Sequence, residues 1–277
     1  MGKLHFAVLG YPLEHTLSPA LHSRLFALSG VDAQYTTASI APEEFCARIS
    51  ELFTLNGFNI TMPYKQRIIL YLDGATEEAL RFQAVNTVLV QPSGRGIGHN
   101  TDIAGVIKSF ERLGASLRGN ICIAGAGATA RMIATEIVRR GGRVTIAIRQ
   151  GSFGKGEALA RAVQRLSAQP CVAVRTLESL SEPYDLLINA TPCGMYPNVN
   201  GCVFPDRVLA NAGGVFDLIY NPYETQLLAK TRALGKPALG GLPMLAWQAA
   251  AAHEFWYGAE FTPAQIDSVV DELCQIL

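Results

Sequence analysis

The sequence predicts an α/β protein of two domains with mainly parallel sheets. Apolar strand-like runs alternate with amphipathic helical stretches along the whole chain, which is the pattern of repeated βα units. The 277 residues suffice for two domains of ordinary size. A Gly-rich turn at residues 125–131, between a strand-like run and a helical run, indicates that one domain has a dinucleotide-binding (Rossmann-type) sheet.

In the first third of the chain, strands and helices alternate. We predict strands near 5–10, 33–40, 57–61 and 86–90, and helices near 18–29, 43–55, 64–71 and 76–83. The middle part begins with a helix near 102–113. It continues with strands near 120–125, 143–148, 171–175, 185–189 and 214–217, and helices near 128–140, 155–168 and 224–234.

The last part, 242–277, has two helical patterns and no convincing strand. Since two helices cannot form a domain alone, we expect them to pack on the first third of the chain. This gives a discontinuous N-terminal α/β domain, residues 1–101 with 238–277, and a Rossmann domain, residues 102–237.

The composition excludes several classes of protein. Lys plus Arg and Asp plus Glu both number 23, and the absence of a basic tract argues against nucleic acid as the main partner. We find no signal-peptide pattern and no apolar run long enough for a membrane, so we predict a cytoplasmic protein. The six cysteines are scattered without a C-x-x-C pair, which favours reduced thiols and no metal site.

The Gly-rich turn follows the buried-strand pattern 120–124 and precedes a helical run. Gly125 permits a tight turn, Gly127 lets the backbone approach a pyrophosphate, and Ala130 allows close packing in place of a third glycine. The free amides at the helix start then receive the phosphates. We therefore predict a dinucleotide site formed by Gly125, Ala126, Gly127, Ala128, Thr129 and Ala130.

The end of the following strand selects the nucleotide. NAD enzymes usually place an acid there to bind the ribose hydroxyl. This chain has Arg149 and Gln150 and no carboxylate, and Lys155 follows shortly. Because a guanidinium suits a 2′-phosphate and stacks on adenine, we predict NADP (NADPH) over NAD. The alternative is that Arg149 is an ordinary surface arginine.

The run 57–65 combines three polar side chains at a strand end. Asn59 and Thr61 share one side of the predicted strand, and Lys65 follows at its carboxyl end, where open α/β sheets bind ligands. An amide, a hydroxyl and an ammonium there can hold a polyhydroxylated molecule and move a proton. Alternatively, Thr61 caps a helix that Pro63 starts, and Lys65 is a solvated lysine.

Two other segments place polar residues at element ends. Thr16 and Ser18 offer hydroxyls beside a helix N-terminus, a good position for a carboxylate, although Ser18 could simply cap the helix with Pro19 at its first position. Asp102, standing alone, would be a helix cap. We expect His99 to point to solvent or a turn.

These segments together resemble the shikimate dehydrogenases of the aromatic amino-acid pathway over essentially the full length of the chain. The matching motifs are the loop 16–19, G-x-N-[VI]-T-x-P-x-K at 57–65, A-V-N-T at 84–87, G-x-N-T-D at 98–102, the Gly-rich turn at 125–131, N-A-T-x-x-G-M at 189–195 and D-x-x-Y-x-P at 217–222.

The resemblance implies NADPH-dependent, reversible reduction of 3-dehydroshikimate to shikimate. Lys65 and Asp102 would be the catalytic pair, since an ammonium can stabilise and protonate the alkoxide that hydride addition produces. Thr16 and Ser18 would bind the ring carboxylate. The remaining implied substrate residues are Asn59, Thr61, Asn86, Tyr220 and Gln248. The further implied cofactor residues are Arg149, Thr191, Met195 and Gly241. We expect a monomer or a homodimer.

Two departures from the family pattern keep alternatives open. Thr16 stands where the family usually has serine, and its extra methyl could tighten the pocket or suit a related acid such as quinate. In the nucleotide loop only Arg149 matches clearly. The alternatives are a quinate/shikimate dehydrogenase with broader substrate or NAD use, an aminoshikimate-type paralogue, and a ligand-sensing protein without turnover.

Overall fold

A computed structural model describes residues 2–14 and 16–277 of the chain. It divides into two compact units, one comprising residues 1–105 with 245–276 (the terminal unit) and the other residues 106–244 (the middle unit). The two boundaries lie inside helices. The functional limits predicted above, 1–101 with 238–277 and 102–237, stay a prediction.

The strands in chain order are β1 (Leu4–Gly10), β2 (Ala33–Ser39), β3 (Gly57–Ile60), β4 (Gly74–Ala75), β5 (Thr87–Val90), β6 (Gly96–His99), β7 (Asn120–Ala124), β8 (Arg143–Ile148), β9 (Val172–Thr176), β10 (Leu186–Asn189), β11 (Val215–Asp217) and β12 (Ala238–Leu239). The α-helices are α1 (Ser18–Ser29), α2 (Phe45–Leu52), α3 (Glu77–Phe82), α4 (Asp102–Leu113), α5 (Ala128–Arg139), α6 (Phe153–Gln164), α7 (Asp206–Ala210), α8 (Gln226–Ala233), α9 (Leu242–Tyr257) and α10 (Pro263–Cys274).

The sheet of the terminal unit is mixed. Its strand order is β2-β1-β3-β5-β6-β4, with β1 parallel to β2 and β3, and β5 antiparallel to β3 and β6. The two faces of β3 have different neighbours. Phe58 and Ile60 pack with Phe45 of α2 on one face, whereas Gly57 lies against Trp256 of α9 on the other.

Helix α9 lies close to the terminal sheet because Gly57 has no side chain. A Cβ atom on Gly57 would stand 2.6 Å from the indole nitrogen of Trp256, and that nitrogen donates a hydrogen bond to the Val88 carbonyl at 2.9 Å. Phe6 and Phe26 complete this second cluster with Trp256. The face therefore buries one end of α9 beside β3 and β5.

The sheet of the middle unit is parallel throughout, in the order β12-β11-β10-β7-β8-β9. When β7 to β12 are renumbered 1 to 6 and the sheet is read from the β9 edge, this is the order 3-2-1-4-5-6 of the doubly wound Rossmann fold. Its central strand β7 is almost fully buried, which explains its continuous apolar run. The predicted α/β class with a Rossmann-type domain is confirmed.

Several predicted elements differ from the structure. The helix predicted at 64–71 is a short 3-10 helix at Arg67–Tyr71, and β4, β6, β12 and α7 were not predicted. Strand β6 escapes detection because Gly96 and Gly98 interrupt its alternation. A Cβ atom on either glycine would stand about 2.5 Å or less from Phe53 or Leu72, so close packing requires glycine there.

Among residues 2–14 and 16–277, no helix combines the length and the apolar character needed to cross a membrane. In the same residues, no three His, Cys, Asp or Glu side chains are grouped so that they could hold a metal ion.

Candidate active site

Lys65 and Asp102 form a short ion pair in the terminal unit. The ammonium of Lys65 donates to Oδ2 of Asp102 at 2.6 Å, and the two side chains are 29% and 18% exposed. The backbone of Lys65 is held next to buried Tyr64, and its carbonyl accepts from the Val85 amide at 2.8 Å. Lys65 is therefore a positioned side chain, and the alternative of a solvated lysine is wrong.

Asp102 begins helix α4, and its carboxylate binds side chains of the site. The side chain of Asn100 accepts from the Asp102 amide at 3.1 Å and donates to the Ala84 carbonyl at 2.9 Å. The two carboxylate oxygens of Asp102 are thus free to bind different partners. Oδ2 accepts from Lys65, and Oδ1 accepts from the side-chain nitrogen of Asn86 at 2.9 Å.

The side chain of Asn86 is oriented by the backbone. Its Oδ1 accepts from the Thr101 amide at 2.8 Å, so its Nδ2 faces Asp102, the Thr101 hydroxyl at 2.9 Å and Oε1 of Gln248 at 3.3 Å. Gln248 comes from helix α9 and donates to the Leu245 carbonyl at 2.9 Å. Gln248 therefore contacts Asn86, the side chain that also binds the Asp102 carboxylate, although the two residues lie far apart in the chain.

Asn59 lies on β3 opposite Thr87 of the antiparallel strand β5. Its side-chain nitrogen donates to the Thr87 hydroxyl at 3.0 Å and to the Asn86 carbonyl at 3.3 Å. Its oxygen accepts from the hydroxyl of Tyr35 at 2.7 Å. One hydrogen-bonded network thus runs from Tyr35 through Asn59 and Asn86 to the ion pair.

Thr61 is half-buried just beyond β3, and its backbone amide donates to the Leu9 carbonyl at 2.8 Å. No α-helix begins at Pro63, because the next element is the 3-10 helix that starts at Arg67. The alternative that Thr61 caps a helix there is therefore wrong.

Thr16 and Ser18 form a pair of hydroxyls at the start of the twelve-residue helix α1. The Thr16 hydroxyl donates to the Ser18 hydroxyl at 3.1 Å and accepts from the Ser18 amide at 3.2 Å. Ser18 is already helical and makes no side-chain cap, so the capping alternative for Ser18 is wrong. Two hydroxyls beside the N-terminus of a helix suit a carboxylate.

His99 differs from its expectation. It ends β6, its Nδ1 lies 2.7 Å from the Thr76 hydroxyl, and its ring packs 4.8 Å from that of Phe255. Burial lowers the pKa of His99 below its ordinary value. The residue is half-buried between elements and does not point to solvent.

The Gly-rich turn of the middle unit leads from β7 into α5. Gly125 has φ +110°, and a Cβ atom there would stand 2.8 Å from the Ala190 carbonyl oxygen, so both conformation and packing require glycine. Gly127 is the N-cap of α5 and borders open space. Ala130 is buried. The first amides of α5, which include those of Ala128 and Thr129, are therefore accessible to a phosphate.

Other predicted cofactor residues lie at strand ends of the same sheet. Arg149 directly follows β8 and is exposed. The amide and hydroxyl of Thr191 both donate to Oδ1 of Asn189, at 3.0 and 2.7 Å, which holds the loop after β10 in a tight turn. Met195 in this loop is 44% exposed. A Cβ atom on Gly241 would stand 2.2 Å from the Leu218 carbonyl oxygen.

Tyr220 belongs to the middle unit and follows β11. Burial raises its pKa above the ordinary value for tyrosine. The structure thus joins Lys65, Asp102, Asn86, Gln248 and Asn59 in one network, and Thr16 and Ser18 form a pair of their own. Sequence reasoning missed Tyr35, Thr87, Asn100 and Thr101 as members of that network, although the last three lie within the motifs.

The terminal unit has a Lys–Asp pair beside polar side chains, and the middle unit has a Rossmann sheet with an accessible Gly-rich turn. These are the parts of a dinucleotide-dependent oxidoreductase. A family model for the shikimate dehydrogenase substrate-binding domain matches residues 8–88. The NADP+ shikimate dehydrogenase of Caldanaerobacter subterraneus is 36% identical over 261 residues, which cover 92% of each chain.

Solved structures agree with this match. The shikimate 5-dehydrogenase of Thermus thermophilus in complex with NADP(H) and shikimate has a TM-score of 0.83 at 32% identity, covering 97% of this chain and 99% of that one. The quinate dehydrogenase of Corynebacterium glutamicum in complex with NAD has a TM-score of 0.84 at 27% identity, covering 99% of each. The chain belongs to the shikimate dehydrogenase family, which confirms the resemblance of its motifs.

Proposed function

We propose that the protein catalyses the NADPH-dependent, reversible reduction of 3-dehydroshikimate to shikimate, a step of aromatic amino-acid (chorismate) biosynthesis. The observation that carries this proposal is the Lys65–Asp102 pair at 2.6 Å, which lies beside amide side chains in the unit matched by the substrate-binding family model. A protein that only senses its ligand has little need of such a proton-transfer pair.

Lys65 supplies the proton of the reduction. NADPH, when bound, would supply the hydride to the ketone carbon. The Lys65 ammonium would stabilise the negative charge that develops on the ketone oxygen and donate a proton to it. Asp102 takes one of the three ammonium N–H groups, which leaves two that can point toward the substrate. Asn86 holds the other oxygen of Asp102 and so fixes the direction of the carboxylate.

The remaining terminal-unit residues bind the substrate. The paired hydroxyls of Thr16 and Ser18 bind its carboxylate at the positive end of helix α1. Its ring hydroxyls bind to Asn59, Thr61, Asn86 and Gln248. Tyr220 of the middle unit is assigned to the substrate by its motif alone.

The residues of the middle unit fit NADP. The accessible N-terminus of α5, with open space at Gly127, suits the pyrophosphate. Arg149 is exposed at the end of β8, where an NAD enzyme has an acid, and its guanidinium suits a 2′-phosphate. Thr191, Met195 and Gly241 complete this assignment from the family motifs.

A second candidate is oxidation of quinate, which rests on two observations. Thr16 replaces the usual serine in the carboxylate-binding pair, and a quinate dehydrogenase is among the structural relatives. The methyl group of Thr16 changes the shape of the pocket beside the acid group, without removing the hydroxyl that binds Ser18.

An assay of shikimate and quinate against NADP+ and NAD+ tests both candidates. We expect the highest kcat/KM for shikimate with NADP+. A higher kcat/KM for quinate would replace the first candidate by the second, and a preference for NAD+ would contradict the role of Arg149. Absence of turnover with all four pairs would support a sensing protein.

Two finer statements belong to the same proposal. We infer a cytoplasmic enzyme, supported by the six free cysteines, since reducing compartments keep thiols unpaired. We also infer a monomer or a homodimer, which light scattering of the purified protein would measure.

A further inference from the structure

A cluster of aromatic and histidine side chains, buried at its two histidines, lies next to Asn59. His22 of α1 stacks on Tyr35 of β2, with ring centroids 4.2 Å apart and planes inclined by 6°. Nδ1 of His22 lies 2.8 Å from Nε2 of His253, on α9, and the other nitrogen of His253 contacts the hydroxyl of Tyr257. His22 is 1% exposed and His253 is fully buried.

This cluster contacts the predicted substrate residues through one hydrogen bond. The hydroxyl of Tyr35 donates to Oδ1 of Asn59 at 2.7 Å. An amide oxygen cannot donate, so the single proton of Tyr35 points at Asn59. Burial raises the pKa of Tyr35 well above its ordinary value, which keeps that proton in place.

The remaining bonds of Asn59 determine what it can offer a ligand. Both protons of its Nδ2 have partners, the Thr87 hydroxyl and the Asn86 carbonyl. Its oxygen has two lone pairs, and Tyr35 occupies one of them. Asn59 can therefore offer a ligand one acceptor and no donor, which suits the hydroxyl of a polyhydroxylated acid.

We propose that Tyr35 is a positioning residue for the proposed reaction, which holds the side-chain oxygen of Asn59 ready to accept from a substrate hydroxyl. His22 and His253 hold the Tyr35 ring, since the stacked imidazole restricts its rotation and the histidine pair ties α1 to α9. The inference rests on the proposed function, because it takes the ligand of Asn59 to be the substrate.

The variant Tyr35→Phe removes the hydroxyl and keeps the stacked ring. Loss of one partly buried hydrogen bond to a substrate-binding side chain corresponds to a rise of about 5–10-fold in KM for shikimate. We expect kcat and the KM for NADP+ to stay within about twofold of the wild-type values, since Asn59 does not contact the reacting proton. Tyr71→Phe is the matched control, because its hydroxyl bonds Cys46.

A double-mutant cycle shows whether Tyr35 acts through Asn59. In the background Asn59→Ala, Tyr35→Phe should change the KM for shikimate by less than about twofold, since neighbouring residues in one network are non-additive. An equal rise in both backgrounds would overturn the proposal. An unchanged KM for shikimate in the single variant would also overturn it. A lower kcat, higher KM values for both shikimate and NADP+ and a lower Tm, all in one variant, would do the same, because they indicate a general structural defect.

If Tyr35→Phe folds poorly, His22→Leu is the second test, because it removes the stacked ring and keeps the Tyr35 hydroxyl. The same kinetic criteria apply to it. Failure of the proposed function has a different signature. A folded wild-type protein that turns over neither shikimate nor quinate contradicts the enzyme itself, whereas an active wild type with indistinguishable Tyr35→Phe kinetics contradicts only the positioning role.

Discussion

Lys65 keeps its ammonium beside Asp102 because its neighbours in the chain are anchored. The preceding residue, Tyr64, is buried and bonds the Ile40 carbonyl through its hydroxyl. Asp102 is held in turn by Asn86 and by its place at the start of α4. The pair therefore loses little further side-chain entropy when a ligand binds, unlike an exposed pair.

The variant Lys65→Ala should lower turnover of shikimate at least ~100-fold, the scale of one general acid–base group. Steady-state kcat with NADP+ measures it. Lys230→Ala is the matched control, because Lys230 also pairs with an aspartate, Asp206, at 2.7 Å but on an exposed surface. Turnover of Lys65→Ala within a few-fold of the control would remove Lys65 from the mechanism.

The buried histidine pair makes stability depend on pH. Burial lowers the pKa of His253 to about 3, and burial together with the nearby His253 lowers that of His22. Above pH ~6.5 both residues are neutral in the folded and unfolded chains. Below it the unfolded chain takes up protons that the folded chain does not, so stability falls as the pH drops from ~6.5 toward 3.

We expect His253→Gln to reduce this dependence by up to about 1.4 kcal/mol per pH unit. Urea unfolding at several values between pH 6.5 and 5 gives the slope, over a range where carboxylates contribute least. His5→Gln, at an exposed position, should leave the slope unchanged. Equal slopes for wild type and His253→Gln would show that His253 is protonated in the folded protein.

At the scale of elements, the turn from β7 to α5 separates two uses of glycine. Gly125 is required by the fold, since its φ of +110° and its distance to Ala190 both exclude a side chain. Gly127 borders open space, so the fold alone does not require it. We therefore propose that glycine is needed at 127 because a phosphate of the cofactor approaches the backbone there.

Gly125→Ala should therefore destabilise the protein by about 1–3 kcal/mol, the cost of a strained backbone residue. Gly127→Ala should keep the Tm close to that of the wild type and raise the KM for NADP+ several-fold. Thermal unfolding and cofactor kinetics of the two variants test this pair. An unchanged KM in Gly127→Ala would place the pyrophosphate elsewhere.

Asp217, at the end of β11, is a buried carboxylate that connects two loops. Burial raises its pKa, and hydrogen bonds from Thr225, the Ile219 amide and Asn189 oppose that rise. Asn189 in turn holds the loop of Thr191. The charge is tolerated because donors surround it.

Thr225→Val should lower the free energy of unfolding by more than the loss of a helix cap alone would. Thr225 caps α8 and also donates to Asp217 at 2.6 Å, whereas Thr262 caps α10 at the surface. Loss of the cap costs about 1 kcal/mol in each, and loss of the donor to Asp217 adds about 1–3 kcal/mol. Chemical unfolding of Thr225→Val and Thr262→Val gives the difference. Equal losses would contradict the role of Thr225 at the carboxylate.

At the scale of the whole molecule, the two units have different kinds of sheet, and no disulfide forms among the described residues. All six cysteines are free, and Cys46 is exposed. Hydrogen bonds with Tyr71 and then Arg67 lower the pKa of Cys46, while burial raises that of Cys122. Thiolate character and access decide which thiol reacts first.

A thiol reagent added to the native protein should react with one thiol in a fast phase. This fast phase should be absent in the variant Cys46→Ser. In denaturant without reductant, all six should react. A Tm that is equal with and without dithiothreitol is expected for the same reason. Fewer than six reactive thiols in denaturant would reveal a disulfide.

Much of the candidate site could be predicted because its residues lie in short motifs. Lys65 follows a strand-like run, Asn86 and Asp102 lie within short polar motifs, and the turn at Gly125 has a local signature. Tyr35 and His253 carry no such signal. An aromatic residue in a half-exposed strand and a histidine in an apolar helix look like ordinary packing residues, and their contacts join positions far apart in the chain.

The sequence by itself determined the α/β class, the Rossmann turn and the family, since periodicity, glycine positions and motif order are local properties of the chain. Only the tertiary structure decided which side chains meet. The antiparallel pairing of β3 with β5 sets Thr87 against Asn59, and α9 brings Gln248 to Asn86. Such contacts depend on strand order and helix packing, which hydrophobic burial over the whole chain selects and no local pattern encodes.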